Sequence, residues 1–97
     1  MSAEAETIEP VHDPAAQRWT VDLEGQRCLL DYRLADGIVT IRHTEVPQAL
    51  GGRGIAGRLV AATFAWARAQ GYKVRPACEY AAAWAKRHPD QADIVVA

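Results

Sequence analysis

The segment Gly51-Gly-Arg-Gly-Ile-Ala-Gly57 constrains this chain more than any other, because it opens directly into an amphipathic run. Ile55, Leu59, Ala62, Thr63 and Trp66 recur at three- and four-residue spacing, and Val60, Phe64 and Ala67 widen the stripe. That period predicts a helix over residues 55–70 laid on a sheet, with Gly71 as its left-handed C′ residue. A glycine-rich turn feeding a helix leaves several backbone N–H groups without an acceptor inside the helix. The helix dipole adds partial positive charge there, and Arg53 and Arg58 add full charges. Gly52, Arg53, Gly54, Ile55, Ala56, Gly57 and Arg58 thus form a candidate cradle for an organic diphosphate, held without an obligatory metal.

Two familiar templates fit the same glycines poorly. Gly52, Gly54 and Gly57 spell GxGxxG, and Glu79 follows about twenty residues later, as a dinucleotide fold requires. That fold starts with a parallel βαβ unit and needs several of them. A chain of 97 residues whose first half reads as antiparallel strands cannot complete such a sheet. Gly52 to Leu59 also resembles a P-loop, but Arg58 stands at the lysine position and Leu59 replaces the hydroxyl that would hold Mg²⁺. The plainest alternative is a strand-to-helix turn with no ligand. Glycines cost backbone entropy, however, and are justified where the backbone must approach something closely.

The rest of the chain supplies one small α+β domain. Residues 1–14 carry Glu4, Glu6, Glu9 and Asp13 with no base, include two prolines, and read as a disordered acidic leader. Residues 15–97 read as a single domain. Runs at 19–23, 27–34 and 38–46 are rich in β-branched and aromatic residues. Glu24-Gly25 and Asp36-Gly37 separate them, so they form an antiparallel three-stranded meander. The helix of residues 55–70 follows, then a strand over 72–78. In that strand Pro76 cannot donate to a ladder and must open one side. A second helix over 80–88 stops at Pro89, and residues 94–96 could add a short final strand. Cys28 and Cys78 lie fifty positions apart and match neither a disulfide framework nor a metal pair. No apolar run reaches the length of a membrane span, and the N-terminus lacks signal-peptide features, so the cytoplasm is the expected compartment.

The strand end His43-Thr-Glu-Val-Pro47 followed by Gly51 to Val60 resembles the acetyl-CoA loop of GNAT acetyltransferases. Pro76-Ala-Cys-Glu-Tyr80 and Arg87-His-Pro89 narrow the resemblance to the minimal GNAT-like subfamily of about this length. It spans residues 17 to 95. The superfamily motif is Arg/Gln-x-x-Gly-x-Gly/Ala; Gly54, Ile55 and Ala56 match its second half, whereas Gly51 stands where Arg or Gln is expected. The resemblance implies acetyl-CoA as cofactor and transfer of acetyl to an amine. It also implies that the strands ending at Val46 and Cys78 splay apart, with pantetheine pairing to backbone near Glu45 and Val46.

Transfer to an amine needs a base, an N–H that polarises the thioester carbonyl, and a proton for the departing thiolate. Cys78 falls at the splayed strand end and is a candidate acyl-accepting nucleophile, or else a small packed residue. Tyr80 is a candidate proton donor, or a tyrosine packed at a helix start. Glu79 and Glu45 are candidate bases acting through water; a carboxylate at a strand end is otherwise simply solvated. Arg42 and His43 should face opposite sides of one strand, and His43 reads as structural rather than chemical. Cys28 reads as core, and Trp19, Trp66 and Trp84 as core or rim.

Charge adds a last constraint. From Val46 to Pro89 seven bases face one acid, Glu79, which suggests an anionic partner or merely solvated helix faces. Nucleic acid is disfavoured, since aromatics do not interleave with these bases and the leader is acidic. The larger family has N-terminal helices that shape the acceptor pocket, for which this chain has no room. Either a shallow groove on a monomer or a partner chain must complete the acceptor site. The competing expectation is a non-catalytic module that binds acetyl-CoA or a partner.

Overall fold

Two tight turns set the register of the sheet. Glu24 and Gly25 have φ of 51° and 72°, and Asp36 and Gly37 have φ of 54° and 75°. Positive φ at both central residues is the hairpin turn whose twist matches that of the strands. These turns join Arg18–Leu23 (β2), Gln26–Ala35 (β3) and Ile38–Glu45 (β4) into the expected antiparallel meander. The structure, a computed structural model, describes residues 8–97. The expectation of disorder for residues 1–7 lies outside that range.

A further strand, Val11–Asp13 (β1), pairs with β2 inside the segment read as a leader, so regular structure begins earlier than charge and proline content suggested. The cause is a tertiary contact. His12 stacks on Trp19 with ring centroids 4.1 Å apart, meets the edge of Trp66 at 4.6 Å, and hydrogen-bonds the Tyr32 hydroxyl at 2.6 Å. Pro10 and Pro14 flank the strand rather than interrupt it, as an edge strand permits.

The helix Ile55–Gln70 (α1) has the expected bounds, and Gly71 ends it with φ of 80°. Ile55, Leu59, Val60, Phe64 and Ala67 are buried against Val21, Leu30, Tyr32, Val39 and Ile41 of the sheet. Burying one such side chain contributes roughly 1.5–3 kcal/mol. The chain returns as Lys73–Pro76 (β5), parallel to β4 and shorter than expected by one residue at its start and two at its end, which gives the order β1-β2-β3-β4-β5. The second helix, Glu79–Lys86 (α2), begins one residue early on a Cys78 N-cap, and Phe64 packs on Trp84 at 4.9 Å. His88 lies beyond α2, stacked on Trp84 at 3.8 Å. The last segment is a 3₁₀ turn over Pro89–Ile94, and Val95 adds a single parallel bridge to Val74 where a short strand was expected. Both helices share one sheet face. Among the described residues nothing covers the other, which carries Arg18, Thr20, Asp22, Arg27, Asp31, Arg33 and Thr40.

Burial holds the His12 imidazole below its ordinary value of 6.5, against a smaller opposing pull from Asp13. The unfolded chain therefore takes up this proton first as pH falls, and stability is lost progressively below about 6.5. Urea midpoints of the wild type should decline between pH 7.5 and 5.5, and His12→Phe should flatten that decline while keeping the stack on Trp19.

Candidate functional site

The ladder between β4 and β5 runs from Ile38 opposite Lys73 to Ile41 opposite Pro76 and then stops. Pro76 has no N–H to offer, and the N–H groups of Ala77 and Cys78 both turn onto the Ile41 carbonyl at 3.1 Å. On its other side β4 carries a bulge: Tyr32 opposes Ile41 and Asp31 opposes His43, leaving Arg42 as the extra residue. A bulge bends its strand and strengthens the local twist. The two strands therefore part, and among the described residues no strand pairs with the Arg42–Glu45 edge that faces β5. The expected splay is present, at the expected proline.

Beside the parting lies a cleft of about 300 Å³ lined by Val46, Leu50, Gly51, Gly52, Gly54, Ile55, Ala56 and Tyr80. Its floor is Leu50, fully buried at the end of a 3₁₀ turn over Gln48–Leu50 that Pro47 starts. Gly52 and Gly54 have φ of 81° and 76°, a region open to glycine at little cost. The α1 ladder begins only when the Arg58 N–H donates to the Gly54 carbonyl at 3.1 Å. The N–H groups of Ile55, Ala56 and Gly57 therefore have no acceptor within the helix. A Cβ built on Gly54 would meet nothing within 4 Å, so the space before the helix start is open.

Other residues singled out in the sequence are placed differently. Arg53 directs its guanidinium to Glu24 at 2.8 Å, tying the loop to the β2–β3 turn. Arg58 is exposed on the first turn of α1. Gly57 faces α2, where a Cβ would come within 3.3 Å of the Tyr80 hydroxyl and 3.9 Å of Trp84 Nε1. Its lack of a side chain lets Tyr80 lean into the cleft. Cys78 is half-buried; its Sγ accepts from the Ala81 N–H at 3.4 Å and lies 3.6 Å from the Thr44 hydroxyl. Glu79 is exposed in the first turn of α2, where a carboxylate favours the dipole, and does not line the cleft. Glu45 is exposed and 3.8 Å from His43.

The bulge also corrects one expectation. Arg42 and His43 line the same groove instead of opposite faces, because the extra residue breaks the alternation. Leu50 and Thr44 escaped the sequence reading. Leu50 looked like one more apolar residue before a glycine run, and Thr44 carries no pattern that would announce a thiol partner.

A family model for GCN5-related N-acetyl-transferases matches residues 18–94, which include both strands of the parting, the glycine loop and both helices. The chain belongs to this family. It is 35% identical over 85 residues to Protein NATD1 of Gallus gallus, covering 84% of this chain and 77% of that one. Protein NATD1 of Homo sapiens is 36% identical over 81 residues, with 80% and 72% covered. A GCN5-like protein from Staphylococcus aureus, solved by NMR, shares the fold with a TM-score of 0.73 at 24% identity, over 92% of this chain and 88% of that one. The family places the cleft and the parting in an acetyltransferase fold. Among the described residues no helix is long and apolar enough to cross a membrane, and no cluster of His, Cys, Asp and Glu is suited to a metal.

The Cys78 sulfur caps α2, which gives it a structural role to be separated from any chemical one. Cys78→Ala should lower stability by up to about 1 kcal/mol, the value of a lost oxygen N-cap, since sulfur is a weaker acceptor. Cys78→Ser should restore most of it, as read from urea unfolding.

Proposed function

We propose that this chain is an N-acetyltransferase that binds acetyl-CoA across the glycine cleft and the parted strands and passes acetyl to an amine. The observation that carries this reading is the continuity of the two features. One cleft is lined by Val46, the residue that follows β4, and by the opening turn of α1, so it runs from just past the end of the unpaired strand edge to a helix N-terminus. The residues fit the ligand. The free N–H groups of Ile55, Ala56 and Gly57 suit a diphosphate, and the edge at Glu45 and Val46 suits an amide-bearing arm added like a strand. Gly52 and Gly54 keep the approach free of side chains. Gly51 stands where the superfamily has Arg or Gln, so backbone donors carry more of the contact.

When bound, the acetyl thioester supplies the activated acyl group. An unpaired N–H along His43–Glu45, beyond the bulge, is the proposed donor that polarises its carbonyl. Neither acid lines the cleft; Glu45, at the end of β4 with His43 beside it, is the better candidate for the base, acting through water, and Glu79, on the exposed first turn of α2, is the weaker one. Tyr80, whose ring lines the cleft, is the proposed proton donor to the departing thiolate. Cys78 borders the parting and carries the covalent alternative, in which its thiol accepts acetyl first. A second reading, a module that binds acetyl-CoA without turnover, is favoured by the capping duty of Cys78 and by the absence of an acid among the residues lining the cleft.

Calorimetry should show acetyl-CoA binding that EDTA leaves unchanged. Gly54→Val should weaken it at least about tenfold, since a β-branched residue cannot hold φ of 76° without strain. A wild-type chain that does not bind acetyl-CoA would remove both readings. Tyr80→Phe should slow thiol release by about tenfold or more with little change in acetyl-CoA affinity. An acetyl adduct seen by mass spectrometry in the wild type and missing in Cys78→Ala would select the covalent route.

A further inference from the structure

The sheet face turned away from both helices holds a surface that the proposed donor site does not use. Alternation sets Arg18, Asp31, Arg33 and Thr40 on it, and the bulge adds Arg42 and His43 together. Two adjoining grooves, of about 410 and 530 Å³, share Arg33 and Arg42 as walls. The first runs back to Ala16, Arg18 and Asp31; the second runs forward to Thr40 and Ala77, one residue before Cys78 at the parting. The two grooves therefore reach the parted strands from the side opposite the glycine cleft.

The charges on this face are not balanced. Arg18 pairs with Asp31 at 2.6 Å, and Arg75 directs its Nε to the Ala97 carbonyl at 2.7 Å. Arg33 and Arg42 are exposed diagonal neighbours, and among the described residues no acid pairs with either. Two neighbouring guanidinium groups repel each other in a concave polar surface until an anion bridges them, and a planar guanidinium matches a carboxylate in two-point geometry. The anionic partner that the linear charge count suggested thus has its best site here, on β3 and β4, outside the basic segment of residues 46–89.

We propose that this face seats the acetyl acceptor as an extended acidic peptide, its carboxylates on Arg33 and Arg42 and its amine at the parting beside Ala77. The inference rests on the transferase reading and names its substrate class. Shape favours a peptide over a small molecule. The grooves are open, walled by the two arginines, and cross from β2 to Ala77 just past β5, three strand spacings or about 14 Å, the reach of about four extended residues. Small-molecule sites enclose most of their ligand instead. Nucleic acid is a poorer match, since the large aromatics of the sheet, Trp19 and Tyr32, are buried toward the helices and leave no stacking platform.

The test uses the full chain and two labelled peptides, one with a central lysine flanked by glutamates and a twin with glutamines in their place. Anisotropy at constant ionic strength should show the glutamate peptide binding about tenfold tighter or more. The double variant Arg33→Gln, Arg42→Gln should remove that preference without changing acetyl-CoA affinity. Arg27→Gln, which deletes an equal kind of charge from the same face but outside the grooves, should have less than about a twofold effect. Equal binding of the twins, equal losses in the Arg27 and double variants, or tighter Arg33- and Arg42-dependent binding of an RNA oligonucleotide would each overturn the proposal. Peptide preference without acetyl-CoA binding would keep the docking face and sink the transferase reading. Acetyl-CoA binding without peptide preference would do the reverse.

Discussion

Two N–H groups, those of Ala77 and Cys78, converge on the Ile41 carbonyl, and there the ladder between β4 and β5 ends. The geometry of the site depends on that convergence. A parallel pair normally continues as long as each strand can alternate donors and acceptors. Pro76 withdraws one donor, and the Arg42 bulge turns β4 at the same level, so neither strand can follow the other. Backbone polar groups are left at an edge that opens into the cleft. In most folds such an edge is a liability to be covered. Under the acetyltransferase function proposed above, the same edge is left free to receive an extended, amide-bearing ligand.

The small core explains how so few elements hold that opening in shape. α1 both covers the sheet and presents its N-terminus to the cleft, so burial of Leu59, Val60 and Phe64 positions the loop. Gly57 brings α2 close enough for Tyr80 to form a cleft wall. Arg53 anchors the loop to Glu24, a contact that at an exposed surface contributes little stability but restrains where the loop sits. At the far edge, His12 adds β1 through a stack of rings, extending a sheet that would otherwise end at β2.

Most of the fold was legible because local chemistry and tertiary packing agree. Asp36-Gly37 has one low-cost hairpin conformation, and the stripe from Ile55 to Ala67 has one buried side. Gly71 supplies a helix end that needs no partner to be recognised. The elements that were misread depend on remote contacts. β1 needs Trp19 and Trp66, and the sequence around His12 offers only two prolines and acids. Cys78 as a cap depends on where α2 begins, which a residue or two of periodicity cannot decide. The basic segment was a count along the chain; in space Arg53 and Arg68 are paired with Glu24 and Asp93, and the coherent charge lies elsewhere.

By itself the sequence determined a glycine-opened helix on a short antiparallel meander and a proline that must end a strand. These follow from φ preferences, missing donors and periodicity, which are properties of neighbouring residues. Only the tertiary structure decided that the proline and a bulge meet at the same level of the sheet, that Tyr80 shares a cleft with the glycines, and that Arg33 and Arg42 stand together on a bare face. Each of these joins residues from different strands or helices, and such pairings are set by register and packing rather than by spacing along the chain.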